Sequence, residues 1–134
     1  MQGKIATENQ EQRAVVKWLS LHPVLKKYYC KNNNEGKRSE SQGWNLKMMG
    51  LRPGVSDLLI YYPANGFHGL WVEMKQARNY SPSEMITDSW IAQQEFIYIV
   101  REVGYAAEFC YGADHAINFI EMYLNGQLGK KRTV

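Results

Sequence analysis

Cysteine and histidine are scarce in this chain. It has two cysteines, Cys30 and Cys110, far apart in sequence. They read as two buried thiols in a reducing compartment in preference to a disulfide. Three scattered histidines, His22, His68 and His115, show no zinc spacing and read as surface or loop residues. No apolar run approaches the roughly 20 residues of a membrane span. The start, Met1-Gln-Gly-Lys-Ile-Ala-Thr-Glu8, lacks the apolar region of a secretory signal, so the expected location is the cytoplasm. Internal repeats and an interdomain linker are also missing. The formal charge of +3 is modest.

What is present suits a globular protein. The 134 residues are enough for one domain with a real core, and 45% of them are apolar. The cations are unevenly spread. Lys26, Lys27, Lys31, Lys37, Arg38, Lys47 and Arg52 crowd the first half, and Lys130, Lys131 and Arg132 form a basic tail. Clustered cations suit an anionic polymer, with phosphates the obvious partner. The tail alone reads as a solvated, disordered extension over about 126–134.

Along the chain, Thr7-Glu-Asn-Gln10 has capping-box form and predicts a helix from Glu8 to near Leu21, ending before His22-Pro23. Ala14, Val15, Trp18 and Leu19 should face the core. Glu8, Gln12 and Val15 share one side, which leaves Glu8 at the edge of that stripe. Residues 27–30 suggest a short strand. Residues 32–43 are polar and turn-rich, and 44–50 suggest a short helix. Trp44, Met48, Met49 and Leu51 read as core in preference to a lid or dimer surface. Residues 58–62 and 70–75 read as antiparallel strands joined through Asn65-Gly66, a hairpin signal. A polar loop over 79–88 leads to a helix over 89–103 with Phe96, Val100 and Val103 inward and Gly104 as its stop. A strand over 105–111 follows. Asp114 should cap a last helix carrying Ile117, Ile120 and Leu124 on one stripe. The result is an α/β fold, a mixed sheet flanked by helices.

The chemistry concentrates in Gly54-Val-Ser-Asp57-Leu-Leu-Ile60 and Leu70-Trp-Val-Glu73-Met-Lys75. Strand alternation puts Glu73 and Lys75 on one face and Leu70, Val72 and Met74 on the other. Asp57 opens the neighbouring strand. Two carboxylates can hold a hard divalent cation, and a lysine beside them can stabilise an anion or help activate a water. Glu-x-Lys alone is weak evidence, since a solvated strand face with an ion pair produces the same triplet. Both acids lie in strongly apolar runs, however, where a charge is costly without a partner or a function.

Taken in order, these residues resemble the VRR-NUC domain, a branch of the PD-(D/E)xK nuclease superfamily. The resemblance spans Glu8 to Leu124. It rests on Glu8 and Gln12 in the first helix, Gly54-Val55-Ser56-Asp57, Glu73-Met74-Lys75 after Gly69-Leu70, and Gln93 with Phe96 before Gly104-Tyr105. Asn34-Glu35-Gly36-Lys37-Arg38 and Tyr111-Gly112-Ala113-Asp114 are similar to stand-alone, often phage-encoded members. Ser56 replaces the usual proline, at a position whose side chain is not a ligand. Glu11 rivals Glu8, and Gln94 rivals Gln93.

The resemblance implies a single domain over 1–134 with a restriction-endonuclease-like core. It implies Mg²⁺ or Mn²⁺ held by Asp57, Glu73, the Met74 carbonyl and Glu8, with Lys75 and Gln93 completing the catalytic set. It further implies phosphodiester cleavage leaving a 5′-phosphate and a 3′-hydroxyl. Stand-alone members resemble homodimeric Holliday-junction resolvases of repair and recombination, in a bacterium or phage-infected host. Lys31, Asn34, Lys37, Arg38, Lys47 and Arg52 are the candidate DNA contacts. The rivals are a flap or nicking nuclease, a helicase-associated nuclease module, and a catalytically silent DNA-binding module.

Overall fold

The computed structural model describes residues 4–32 and 39–129. The element order is α1 (Glu8–Leu21), β1 (Tyr29–Lys31), α2 (Glu40–Met48), β2 (Leu58–Ile60), β3 (Leu70–Lys75), α3 (Asp88–Glu102), β4 (Ala106–Tyr111) and α4 (Ala113–Leu124). Single 3₁₀ turns occupy Leu25–Lys27 and Glu84–Ile86. The sheet order is β1-β2-β3-β4. β1 and β3 run antiparallel to β2, with Leu58 opposite Val72 and Ile60 opposite Leu70. β4 runs parallel to β3, because α3 returns the chain to the starting edge. The sheet is therefore mixed, as the sequence predicts.

Its two faces are covered differently. Leu70, Val72 and Met74 pack with Leu58 and Ile60 against Val15 and Leu19 of α1 and Ala116, Ile120 and Tyr123 of α4. On the opposite face, Trp71, Ala107 and Phe109 meet Phe96, Ile97 and Val100 of α3. Alternation in β3 thus divides the core in two and leaves Glu73 and Lys75 on the α3 face.

The Thr7 capping box forms: Gln10 N donates to the Thr7 hydroxyl at 3.1 Å and Thr7 N to the Gln10 side chain at 2.8 Å. The hairpin turn also forms, with Asn65 and Gly66 both at positive φ. Several expectations are corrected. Ala14 and Val103 are exposed, because the apolar stripes of α1 and α3 are narrower than spacing alone suggests. Buried positions on α4 include Ala113, Ala116, Phe119, Ile120 and Tyr123, while Ile117 and Leu124 are only half-buried. Asp114 lies inside α4, whose N-cap is Gly112. The start of α2 falls at Glu40, within the stretch read as turns, because Ser39 and Gln42 form a second capping box. Trp44, Met48 and Met49 are exposed, not core. Cys30 is exposed and Cys110 buried, both as free thiols. Leu128, placed in the tail by sequence, packs on the main core. No helix among the described residues is long and apolar enough to cross a membrane.

Candidate active site

The site forms where β2 begins and β3 ends. Gly54 takes φ +80°, and a Cβ there would lie 2.3 Å from the Ala92 carbonyl oxygen. Only glycine lets this turn approach α3 so closely. The turn delivers Asp57 beside β3, where its Oδ2 accepts from Met74 N at 2.7 Å. A strand residue directs its N–H and C=O to the same edge, so the Met74 carbonyl also leaves on the Asp57 side. Asn32 reinforces the turn: its backbone N donates to the Asp57 carbonyl at 2.8 Å and its side chain to the Val55 carbonyl at 3.3 Å.

Glu73 is only 2% exposed, and among the described residues its Oε1 has no hydrogen-bond partner. Burial is the main reason its carboxyl is pushed up to about 10; the neighbouring Asp57 charge and a hydrogen bond with Asp57 add to the rise, Lys75 opposes it, and Glu8 contributes a smaller upward push. Lys75, buried beside it, donates from Nζ to Gln93 Oε1 at 2.6 Å. Its ammonium lies 4.1 Å from the Trp90 ring centre and 5.4 Å from that of Phe109. The cation is therefore held by an amide oxygen and two aromatic faces. Ser56 is fully buried, and its hydroxyl also has no partner among the described residues.

The structure thus brings together Asp57, Glu73, Lys75, Gln93 and the Met74 backbone. Gln94 is exposed, so Gln93 is the glutamine that meets Lys75. Glu8 stands at the rim of a cleft of about 460 Å³ that it shares with Lys75. Among the described residues no three acidic, histidine or cysteine side chains gather into a ligand set. Glu11 is engaged elsewhere, where its Oε2 accepts from Ala113 N at 2.9 Å and caps α4. Gln12 lines a separate groove with Arg13, Tyr29 and Lys31.

Of the proposed DNA contacts, Lys31, Lys47 and Arg52 are exposed. Lys31 lies next to the Asp57 turn, opposite Leu58. Asn34, Lys37 and Arg38 lie outside the described residues. Sequence reasoning missed Gln76, Arg78, Tyr80 and Glu84, which also line the cleft. Their signal is weak because it is tertiary: Arg78 stacks on Tyr80 at 3.9 Å and pairs with Glu84 at 2.6 Å.

No family model matches the chain, and no curated protein matches it. A solved structure of a VRR_NUC domain protein does, at 25% identity and a TM-score of 0.76, covering 98% of this chain and 100% of that one. A mixed sheet with helices on both faces, bearing an Asp, Glu and Lys set at one end of β3, defines a nuclease-like domain of PD-(D/E)xK type. Within that class the chain shares, over nearly its whole length, the fold of a VRR_NUC domain protein.

Proposed function

We propose that this protein is a metal-dependent DNA endonuclease that cuts branched DNA, with the four-way junction as its principal substrate and a homodimer as its working form. The observation that carries the reading is the buried, unpartnered Glu73 oxygen beside Asp57 and Lys75. Two carboxylates so placed repel each other, and burial makes that costly. A divalent cation removes the conflict. The donors are all hard oxygens, which fits Mg²⁺ or Mn²⁺.

Asp57 and Glu73 would hold the ion, with the Met74 carbonyl on the same edge and Glu8 contributing from the rim. When bound, the ion supplies Lewis-acid stabilisation of phosphate charge and lowers the pKa of a water. Around it, the chain's own groups set the geometry. Asp57 is anchored by Met74 N, and Lys75 is aimed by Gln93 while two rings shield its other side. Lys75 Nζ meets the scissile phosphate or its attacking water, where an ammonium stabilises developing negative charge. Water oxygen bonds to phosphorus and the bond to the 3′ oxygen breaks, leaving a 5′-phosphate and a 3′-hydroxyl.

The exposed Lys31, Lys47 and Arg52 suit backbone contacts that read shape more than sequence. Trp44 and Met48 on α2, with Met49 at its C-cap, are 65–76% exposed, an apolar surface suited to a two-fold partner. A symmetric junction presents paired scissile strands, which a two-fold pair of sites matches. The test is a panel of four-way junction, flap, nicked and linear duplex DNA with Mg²⁺ or Mn²⁺. Paired symmetric cuts in the junction are expected. Preferred cutting of flap or nicked DNA would replace the junction reading, and binding without cutting would favour a silent DNA-binding module.

A further inference from the structure

Beyond the reaction centre, the loop following β3 builds a second feature in the same cleft. Arg78 sends Nη2 to Glu84 Oε2 at 2.6 Å and Nη1 to Glu84 Oε1 at 3.3 Å. Nε donates to the Gln76 side chain at 3.3 Å, and Nη1 also donates to the Asn79 carbonyl at 2.9 Å. Tyr80 lies under the guanidinium and is itself fixed by donating from its hydroxyl to the Gln76 carbonyl at 2.9 Å. Glu84 is held in turn by Ser81, whose backbone N donates at 2.9 Å and whose hydroxyl donates at 3.1 Å. The guanidinium fork is thus pre-set in a two-oxygen geometry.

That geometry matches a phosphate as well as it matches a carboxylate. Lys75 and Arg78 are the cations lining the cleft among the described residues, and Lys75 is buried against Gln93, Trp90 and Phe109. Arg78 is 38% exposed and Glu84 40%. An ion pair so open to water is weak, so an incoming anionic backbone can exchange with it.

We propose that Arg78 is the backbone-phosphate-binding residue of this cleft, and that Glu84 is a built-in placeholder holding its fork ready until DNA displaces the carboxylate. The inference rests on the nuclease reading and deepens it by naming how the strand next to the reaction centre is held. Arg78 is a binding and positioning residue, and Glu84 acts only through it.

The Arg78 background separates a placeholder from simple loss of negative charge: Glu84→Gln is expected to tighten binding when Arg78 is present but not in Arg78→Ala, whereas lost repulsion alone would tighten both. Binding of a labelled four-way junction is measured in EDTA across a salt series, alongside wild-type cleavage in Mn²⁺. Arg78→Ala is expected to weaken binding about tenfold and to reduce the salt slope by about 0.9, as for one lost phosphate contact. Arg78→Lys is expected to restore the slope but only part of the affinity. Glu84→Gln, which retains an oxygen acceptor for Ser81, is expected to tighten binding about threefold by freeing the fork. Weaker binding by Glu84→Gln, tightening in both backgrounds, or an unchanged salt slope in Arg78→Ala overturns the inference while wild-type cleavage leaves the nuclease reading standing. A wild-type protein that neither binds nor cleaves DNA overturns both.

Discussion

Glu73 is the residue on which most depends. Its burial beside Asp57 raises its carboxyl to about 10, well above the ordinary 4.5. Between those values the folded, metal-free protein binds a proton that the unfolded chain has lost. Its contribution is therefore present below about pH 4.5 and declines as pH rises toward 10. Melting of metal-free protein from about pH 5 to about pH 9 should show falling stability, and Glu73→Gln should flatten the fall and raise Tm near neutrality. The same variant should lose the Tm increase that Mn²⁺ gives wild type, since ligands that bind only the folded state stabilise it. A Glu73→Gln protein no more stable than wild type at about pH 8 would contradict the buried-conflict account. Lys75→Met keeps an unbranched side chain, one atom shorter, but removes its charge. It should lower kcat by about 10²–10³ with little change in Mn²⁺ affinity, read by single-turnover cleavage and metal titration. The Asp57, Glu73 and Lys75 positions were legible because strand alternation places charges on a face that apolar neighbours exclude from water. Arg78 was not legible: its meaning comes from Glu84 and Tyr80, which meet it only once the loop is folded.

At the level of elements, α4 is started by a group from the other end of the chain. Gly112 takes φ +95°, where a Cβ would fall 2.4 Å from Glu11 Oε2. The backbone therefore comes close enough for Glu11 to accept from Ala113 N, with favourable charge at the helix N-terminus. Glu11→Ala should cost about 1–2 kcal/mol of stability by thermal or urea unfolding, while leaving Mn²⁺ affinity unchanged. Loss of metal affinity in that variant would return Glu11 to the site in place of Glu8. Sequence alone could not separate the two, since both lie in the first turn of α1. It also assigned the α4 cap to Asp114, the nearest suitable side chain, because a cap 102 positions away leaves no local trace. β3 and β4 were legible from their apolar runs, and α1 from its capping box. α2 was read short because its first turn is polar and depends on Ser39 and Gln42 capping each other.

For the whole molecule, the sheet divides labour. One face packs α1 and α4 into the main core, and the other packs α3 over the β3 charges. α2 buries none of its residues and presents Trp44 and Met48 outward, beside the exposed Met49 at its C-cap. If that surface joins two copies, sedimentation of wild type should give a dimer. A Trp44→Ser, Met48→Ser double variant should then sediment as a monomer that still binds Mn²⁺ but no longer makes paired cuts. A wild-type monomer at micromolar concentration would remove the two-fold account of junction cleavage and leave the single site intact. The central claim, that Asp57 and Glu73 form a metal-dependent phosphodiesterase centre with Lys75, is tested most directly by one cleavage measurement. A labelled four-way junction is incubated with wild type and with Asp57→Ala, in Mn²⁺ and in EDTA. The account predicts cuts ending in 5′-phosphate by wild type in Mn²⁺ alone. Cleavage that survives in Asp57→Ala or in EDTA would contradict it.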